Sequence, residues 1–150
     1  MNRERFRFLP VTLLESDLWI GVPHAQFHPD MLAAARSELE RLREVLDAYM
    51  AANPEFGTTL EALPIPMNHQ GIPQEIRIML ECGQKSRTGP MSAVAGLFAE
   101  CVGTRLEQEF ALEEVVVENG GDLFLKNSKE LVSVIHAGTS PLSDKLAFSL

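Results

Sequence analysis

A stripe of apolar residues along positions 32–49 constrains the fold more than any other feature of the sequence. Its members recur at intervals of three and four residues, which places them on one face of an α-helix: they are Leu32, Ala35, Leu39, Leu42, Leu46 and Tyr49. Pro29 suits the start of this helix, and Asn53-Pro54 predicts its end because a residue before proline avoids the α conformation. The stripe spans only about three heptads. We therefore favour a helix that lies on a sheet and keep a coiled coil as the alternative.

Two shorter helices are predicted downstream of the stripe. They fit residues 73–82 and 90–102, and Gly83 and Gly103 are their stop signals. Strand-like runs separated by turn residues predict a sheet; they cover positions 5–15, 18–22, 115–117, 122–125, 131–136 and 145–150. Ser16-Asp17 is the expected turn between the first two runs. We expect a single α/β (α+β) domain over residues 1–150, in which an antiparallel or mixed sheet packs with helices.

Composition and charge exclude several classes of protein. Hydrophobic residues make up 45% of the chain, which argues against global disorder, and the net charge of −8 disfavours a nucleic-acid partner. No apolar run approaches the roughly 18 residues of a membrane span, and none follows the charged first residues as in a signal peptide. Cys82 and Cys101 form no Cys-x-x-Cys motif. We expect a soluble, cytoplasmic protein whose partner is a small molecule.

The first candidate site lies at residues 85–96, where a glycine turn leads into the third predicted helix. Backbone N–H groups in the first turn of a helix lack intrahelical partners and attract anions, helped by the helix dipole. Lys85 and Arg87 add positive charge, a serine adds a hydroxyl donor, and small residues permit close approach of a ligand. The ligand-binding residues assigned here are Gly89, Met91, Ser92, Ala93 and Gly96. An ordinary helix start capped by Thr88 or Gly89 is the alternative, and the segment lacks the ending of a P-loop.

The second candidate site is a double-glycine segment between two predicted strands. Asn-Gly is a strong hairpin signal, so a plain hairpin is the alternative interpretation. Adjacent glycines expose the backbone to a ligand, and the polar groups around them converge on that opening. The residues assigned to this site are Glu118, Asn119, Gly120, Gly121 and Asp122.

The histidines give weaker signals. His136 ends a predicted strand and could serve as a base or a ligand contact, but a partly buried histidine hydrogen-bonded to backbone is favoured. His24 and His28 are four residues apart, but the prolines on either side argue against a shared helix face. His69 has no recognisable partner. We predict no metal site from these residues.

Taken in order, these segments resemble the ApbE-like superfamily, whose best-known members are FAD-dependent FMN transferases. Residues 117–123 look like the strand, Gly-Gly and acid motif of that family, and residues 93–100 look like its upstream helix motif. The sequence is most similar to an uncharacterised branch of the superfamily, in which the motifs at 88–96, 118–122 and 137–143 occur in this order. The resemblance implies an ApbE-like fold, FAD or FMN as the ligand, and FMN transfer to a protein as the activity.

Two departures from the transferase pattern open alternatives. Ala95 stands where the transferases usually have a lysine before the helix glycine, and their metal-binding Asp and Thr residues lie in a later segment. Mg²⁺ is therefore expected only if residues after Leu150 supply ligands, and the final apolar run suggests an incomplete C-terminal part. The alternatives are a non-catalytic ligand-binding protein with the same fold, and a structural subunit whose exposed strands pair with another chain, as in a homo-oligomer.

Overall fold

Six strands and four α-helices form the part of the chain that the structure, a computed structural model, describes, namely residues 5–66, 71–134, 136 and 138–150. In chain order the elements are β1 (Phe6–Leu13), β2 (Ser16–Pro23), α1 (Met31–Ala52), α2 (Pro54–Thr58), α3 (Gln74–Ser86), α4 (Val94–Phe110), β3 (Val115–Asn119), β4 (Asp122–Lys126), β5 (Val132–Val134) and β6 (Ala147–Ser149). Short 3₁₀ turns cover His24–Gln26 and Pro90–Ala93. The mixture of helices and antiparallel strands confirms the predicted fold class.

The central sheet is antiparallel in the order β1-β2-β3-β4, so β1 and β4 are its edges. An edge position explains how β1 accommodates Pro10, which cannot donate to a neighbouring strand. The predicted turn at Ser16-Asp17 is wrong by two residues. Leu13 pairs with Ser16, so Leu14 and Glu15 form the turn and Leu14 takes a φ of 53°. Ser16 is buried in β2, where its hydroxyl accepts a hydrogen bond from Arg43.

Helices cover one face of this sheet and form the main core with it. Alternate residues of β2 and β3 point toward α1 and α4, as the two-residue period of a strand requires; they are Leu18, Ile20, Val22, Val115 and Val117. On the opposite face a smaller cluster joins Phe6, Val116 and Leu131. The sheet is thus well covered on one side and sparsely covered on the other.

Helix α1 confirms the predicted amphipathic helix and its place on the sheet. Its buried face includes Leu39, Leu42 and Leu46, as predicted. The prediction was wrong for Leu32, which is 47% exposed, because Met31 and Ala34 occupy the inner face at the first turn. α1 packs against β1, α3 and α4 within the same chain, which favours the sheet-packed helix over the coiled coil.

Both glycines that were predicted to end helices lie inside them. A side chain at Gly83 would place its Cβ 2.8 Å from Thr88 O, and one at Gly103 would place it 2.2 Å from Phe124 Cδ1. Close neighbours therefore require glycine at these positions, and the helices end later. Arg87 terminates α3 at a φ of 59°, and Ala111 terminates α4 at a φ of 50°.

The C-terminal strands form a separate two-stranded antiparallel sheet. Among the described residues, three positions of each strand pair in register, within the predicted runs at 131–136 and 145–150; position 135 lies outside the described residues. Leu131 and Leu150 continue the pairing through two backbone hydrogen bonds of 2.9 and 2.8 Å.

Candidate functional site

The two predicted sites meet at a junction between the start of α4 and the turn that joins β3 to β4. The buried side chain of Asn119 donates a hydrogen bond from Nδ2 to Ala95 O at 3.1 Å. A Cβ at Gly96 would lie 3.7 Å from Asp122 Cγ. The contact depends on two sequence features, an amide at the end of β3 and a residue without a side chain in the first turn of α4.

The turn between β3 and β4 is a tight two-residue hairpin, as the alternative interpretation predicted. Asn119 pairs with Asp122, and Gly120 and Gly121 take φ values of 61° and 101°, which only glycine adopts without strain. Glu118 stabilises the turn by accepting a hydrogen bond of 2.7 Å from Gly121 N–H. No heavy atom within 4 Å would obstruct a Cβ at either glycine, so the backbone is open to an approaching ligand.

The chain before α4 differs from the predicted helix start. It is a 3₁₀ turn, and Ser92 directs both its N–H (3.1 Å) and its hydroxyl (2.8 Å) at Gly89 O. These two donors are therefore already used within the turn. Gly89 is buried, donates its N–H to Leu60 O at 2.8 Å, and could not carry a Cβ because Thr59 O would lie 2.0 Å away. The position of Gly89 is thus explained by packing, and Met91 is half-buried against the core.

An open cavity of about 570 Å³ lies beside this turn, between it and the end of α3. Its wall carries a chain of three hydroxyl groups, with Ser86 Oγ 2.6 Å from Thr88 Oγ1 and Thr88 Oγ1 2.7 Å from Ser92 Oγ. The outer two donate to backbone carbonyls, so the chain offers acceptor lone pairs to the cavity more readily than donors. Cys82, Lys85 and Ala93 complete the lining.

Two basic side chains near this cavity have no charged partner among the described residues. Lys85 and Arg87 are exposed, and neither forms an ion pair or a side-chain hydrogen bond within the described part of the chain. By contrast, Arg77 on the same helix lies 3.8 Å from Glu81. Lys85 lines the cavity, and Arg87 lies two residues further on, at the end of α3. In a chain with a net charge of −8, the unpaired charge of Lys85 is the local feature most suited to an anionic group.

A larger cavity, which the sequence did not predict, lies between α1, α3 and α4. Its volume is about 820 Å³ and its wall contains a buried carboxylate, Glu38, bound by Arg41 Nη2 at 2.7 Å and Arg105 Nη1 at 3.2 Å. Burial raises the pKa of Glu38, and the two guanidinium groups lower it by more, so its pKa is below the usual range. The one available signal was a carboxylate within the apolar face of α1.

Both positive charges on that larger cavity are already paired with carboxylates. Arg41 also binds Glu75 at 2.8 Å and Arg105 binds Glu109 at 3.2 Å, so both guanidinium groups already have carboxylate partners. Burial, and then the nearby acids Glu38 and Glu75, raise the pKa of the Cys101 thiol to about 11, which keeps it protonated and unreactive at neutral pH. Although this cavity is larger, the one beside Ser92 has the unpaired positive charge, and it is the better candidate for a ligand.

The histidines differ in part from the predictions. His136 was expected to be partly buried and bonded to backbone. Instead it is exposed, because it lies in the exposed C-terminal segment, and its Nδ1 is 3.3 Å from Asp144 Oδ1. His24 lies in a 3₁₀ turn, and His28 Nδ1 accepts a hydrogen bond from Asp30 N–H. His69 falls outside the described residues. Within residues 5–66, 71–134, 136 and 138–150, no three His, Cys, Asp or Glu side chains gather as a metal site would require.

Comparison with known proteins gives a family match and several relatives. The family described as AbpE bacteria matches residues 1–149. UPF0280 proteins are 32% identical over 140 residues in Methanococcus maripaludis (strain C6), 31% over 123 residues in Methanococcus vannielii and 34% over 116 residues in Methanosarcina acetivorans. These matches cover 93%, 82% and 77% of this chain, but 53%, 48% and 44% of the respective relatives. The chain thus spans about half the length of the curated relatives it matches. Among the described residues, no helix is both long enough and apolar enough to cross a bilayer.

Proposed function

The chain belongs to the AbpE bacteria family, and from that premise we propose that it binds a phosphorylated small ligand, with a flavin nucleotide (FAD or FMN) as the first candidate. The ligand lies at the junction between the start of α4 and the β3–β4 turn. One observation carries this proposal: the hydrogen bond from Asn119 to Ala95 O holds the β3–β4 turn against the start of α4, and Ala93, two residues before Ala95, lines the same cavity as Lys85.

The phosphate end of the ligand is assigned to the cavity by charge. Lys85 and Arg87 are unpaired among the described residues, and a phosphate supplies the negative charge that they lack. Because both Ser92 donors bind Gly89 O, the serine lines the cavity in this arrangement without donating to the phosphate. The positive side chains thus take the role that the sequence assigned to helix N–H groups.

The remainder of the ligand is assigned to the open side of the junction. Gly96 leaves a methyl-sized space beside Asp122, and Gly120 and Gly121 present unobstructed backbone. The exposed Asp122 carboxylate accepts hydrogen bonds, which suits ribose or ribityl hydroxyl groups or the N–H of a flavin ring. A ligand with a phosphate at one end and such donors at the other therefore matches both halves of the junction.

Binding without FMN transfer is the better supported form of this function. Transfer would need Mg²⁺ to offset phosphate charge, and Mg²⁺ requires several oxygen ligands. At the junction, Asp122 offers a free carboxylate in the described residues, while Glu118 is engaged by Gly121 N–H. Ala95 also replaces the lysine that the transferases usually carry. Transfer activity would need further oxygen ligands from outside the described residues.

The proposal is tested by titrating the purified protein with FAD and FMN, with and without Mg²⁺, while recording the visible spectrum and the heat of binding. We expect saturable 1:1 binding, and Lys85→Ala should weaken it roughly tenfold, as expected for loss of a charge-assisted hydrogen bond. Lys129→Ala is the matched control, since Lys129 is exposed and lies in a different segment. FMN release with Mg²⁺ would establish transfer. The proposal fails if neither flavin binds or if both lysine variants bind like the parent protein.

A further inference from the structure

The C-terminal ribbon, defined as β5, β6 and the described residues between them, has apolar side chains on both of its faces. Val132, Val134 and Phe148 are 46%, 42% and 60% exposed. Ser133 pairs with Phe148, and successive residues of a strand point to opposite faces, so the two valines lie on one face and Phe148 on the other. A two-stranded ribbon with neither face covered is at best marginally stable in water.

Exposed apolar residues are concentrated in this ribbon and its immediate end. Of the eleven large hydrophobic side chains that are exposed in the described residues, six lie between positions 132 and 150: Val132, Val134, Leu142, Leu146, Phe148 and Leu150. Single exposed apolar residues are common on protein surfaces, but their concentration on one short ribbon marks a contact surface.

The base of the ribbon is fixed to the domain, so the surface has a defined position. Leu131 is buried against Phe6 and Val116 and exchanges backbone hydrogen bonds with Leu150. The preceding loop is held by Glu114, which accepts hydrogen bonds from Arg5 and from Ser128 N–H and Oγ. A ribbon that is anchored at its base and uncovered on its faces is placed to receive another segment.

The relatives indicate what that segment is. Each of the three UPF0280 proteins carries about as much sequence outside the match as inside it. We propose that the C-terminal ribbon docks against this other half of the family polypeptide, which covers both apolar faces. A second copy of the chain fits less well. In a twofold dimer both subunits contact each other through the same surface, so one face of the ribbon would be covered and the other would stay exposed. The inference does not depend on the proposed ligand.

Hydrogen exchange tests the docking directly. The segment of the M. maripaludis (strain C6) protein that lies outside the match is joined to the full chain by a flexible linker, which raises its effective concentration to the millimolar range. We expect the amides of 132–134 and 147–149 to exchange at least about tenfold more slowly than in the chain alone. Leu146→Ser should abolish this protection, whereas Leu32→Ser, at a residue with the same 47% exposure on α1, should preserve it.

Two results would overturn the inference. One is unchanged exchange of the ribbon amides in the linked protein. The other is protection of the same amides in the chain alone, in proportion to its self-association in analytical ultracentrifugation, which would assign the surface to a second copy. Flavin affinity is measured on the same samples, so failure of the docking and failure of the ligand proposal are separate outcomes.

Discussion

Alanine substitutions at two glycines of α4 are expected to change stability in opposite directions. Gly96 and Gly103 lie in the same helix, where alanine is favoured over glycine by up to about 1 kcal/mol. The intrinsic effect of the substitution is therefore similar, and the surroundings decide the outcome. A Cβ at Gly96 would make an ordinary contact of 3.7 Å with Asp122 Cγ, whereas a Cβ at Gly103 would lie 2.2 Å from Phe124 Cδ1 and 2.5 Å from its Cε1.

The clash at Gly103 involves the body of the Phe124 ring, so its relief requires the ring to change rotamer or β4 to shift. Phe124 is paired with Val117 in the centre of β4, and Lys126, two residues on, is tied to Glu107 of α4. Overpacking of this kind costs typically 1–3 kcal/mol. After the gain in helix propensity, Gly103→Ala should lower the free energy of unfolding by about 1–2 kcal/mol. Gly96→Ala should raise it by about 0.5–1 kcal/mol.

Urea unfolding followed by circular dichroism measures both changes, and an unchanged denaturant slope would show that the unfolded state is unaffected. A double-mutant cycle with Phe124→Leu assigns the cause, because shortening the ring should recover most of the loss in Gly103→Ala. The reasoning is refuted if Gly103→Ala is as stable as Gly96→Ala, or if the two substitutions at 103 and 124 are additive. Gly96→Ala should also weaken flavin binding while it stabilises the fold, since its methyl group would occupy the space assigned to the ligand.

Three further predictions concern ionisable groups. The hydrogen bond from Arg5 lowers the pKa of Glu114 to about 2, against the opposing effect of burial. Ionised Glu114 therefore stabilises the fold above pH 4.5 and loses this effect as the pH falls toward 2. The difference in unfolding midpoint between the parent protein and Glu114→Gln should stay constant at neutral pH and shrink between pH 4.5 and 2. Glu38→Ala should cost about 1.5–3 kcal/mol in urea unfolding because it removes the buried carboxylate that joins Arg41 of α1 to Arg105 of α4, although Glu75 and Glu109 remain as partners of the two guanidinium groups. The exposed pair broken by Glu40→Ala should cost under about 1 kcal/mol, and equal losses would contradict this. Cys101, whose pKa burial raises to about 11, should be alkylated by iodoacetamide at least about tenfold more slowly in the native protein than in urea, as peptide mass spectrometry would show.

The fold class and the longest helix could be predicted because local periodicity encodes them. Residues three and four apart in α1 share one face whatever they pack against, so Leu39, Leu42 and Leu46 were placed correctly. Leu32 was misplaced because a stripe with alternating intervals of three and four residues drifts relative to a helix of 3.6 residues per turn. At the first turn Met31 therefore took the inner position.

Helix ends were less predictable because the decisive contacts are distant in sequence. Gly83 and Gly103 have the residue type of a helix stop, but each is required by a neighbour, Thr88 in one case and Phe124 in the other. The ion pair between Glu38 and Arg105 likewise joins α1 and α4 across 67 positions. No local pattern reports such a contact, so the larger cavity and its charge network could not be found from sequence.

The site itself was predictable in its parts because each part has a local signature. The double glycine indicates an open turn, and small residues indicate close approach. The two parts meet because α4 packs on β3 and β4, and the Asn119 amide at the end of β3 adds a hydrogen bond to Ala95 O. Asn119 was predicted to contact the ligand, and in the structure its Nδ2 donates to Ala95 O, a role that the sequence did not indicate.

That change of role for Asn119 affects how a ligand would bind. Because the amide is buried and bonded to α4, the distance between the turn and the helix is set by the core of the protein before any ligand arrives. A site fixed in this way does not lose conformational entropy in the turn on binding, so its affinity depends mainly on the contacts that face the ligand. If the proposed ligand binds here, we expect Lys85→Ala to weaken binding without changing stability, and Gly96→Ala to weaken binding with a small gain in stability. Loss of the Asn119 amide is expected to lower both stability and affinity, because it removes a core hydrogen bond. A preformed junction requires two results. Substitution of Asn119 lowers both the free energy of unfolding and the ligand affinity, whereas substitution of Lys85 lowers the affinity alone.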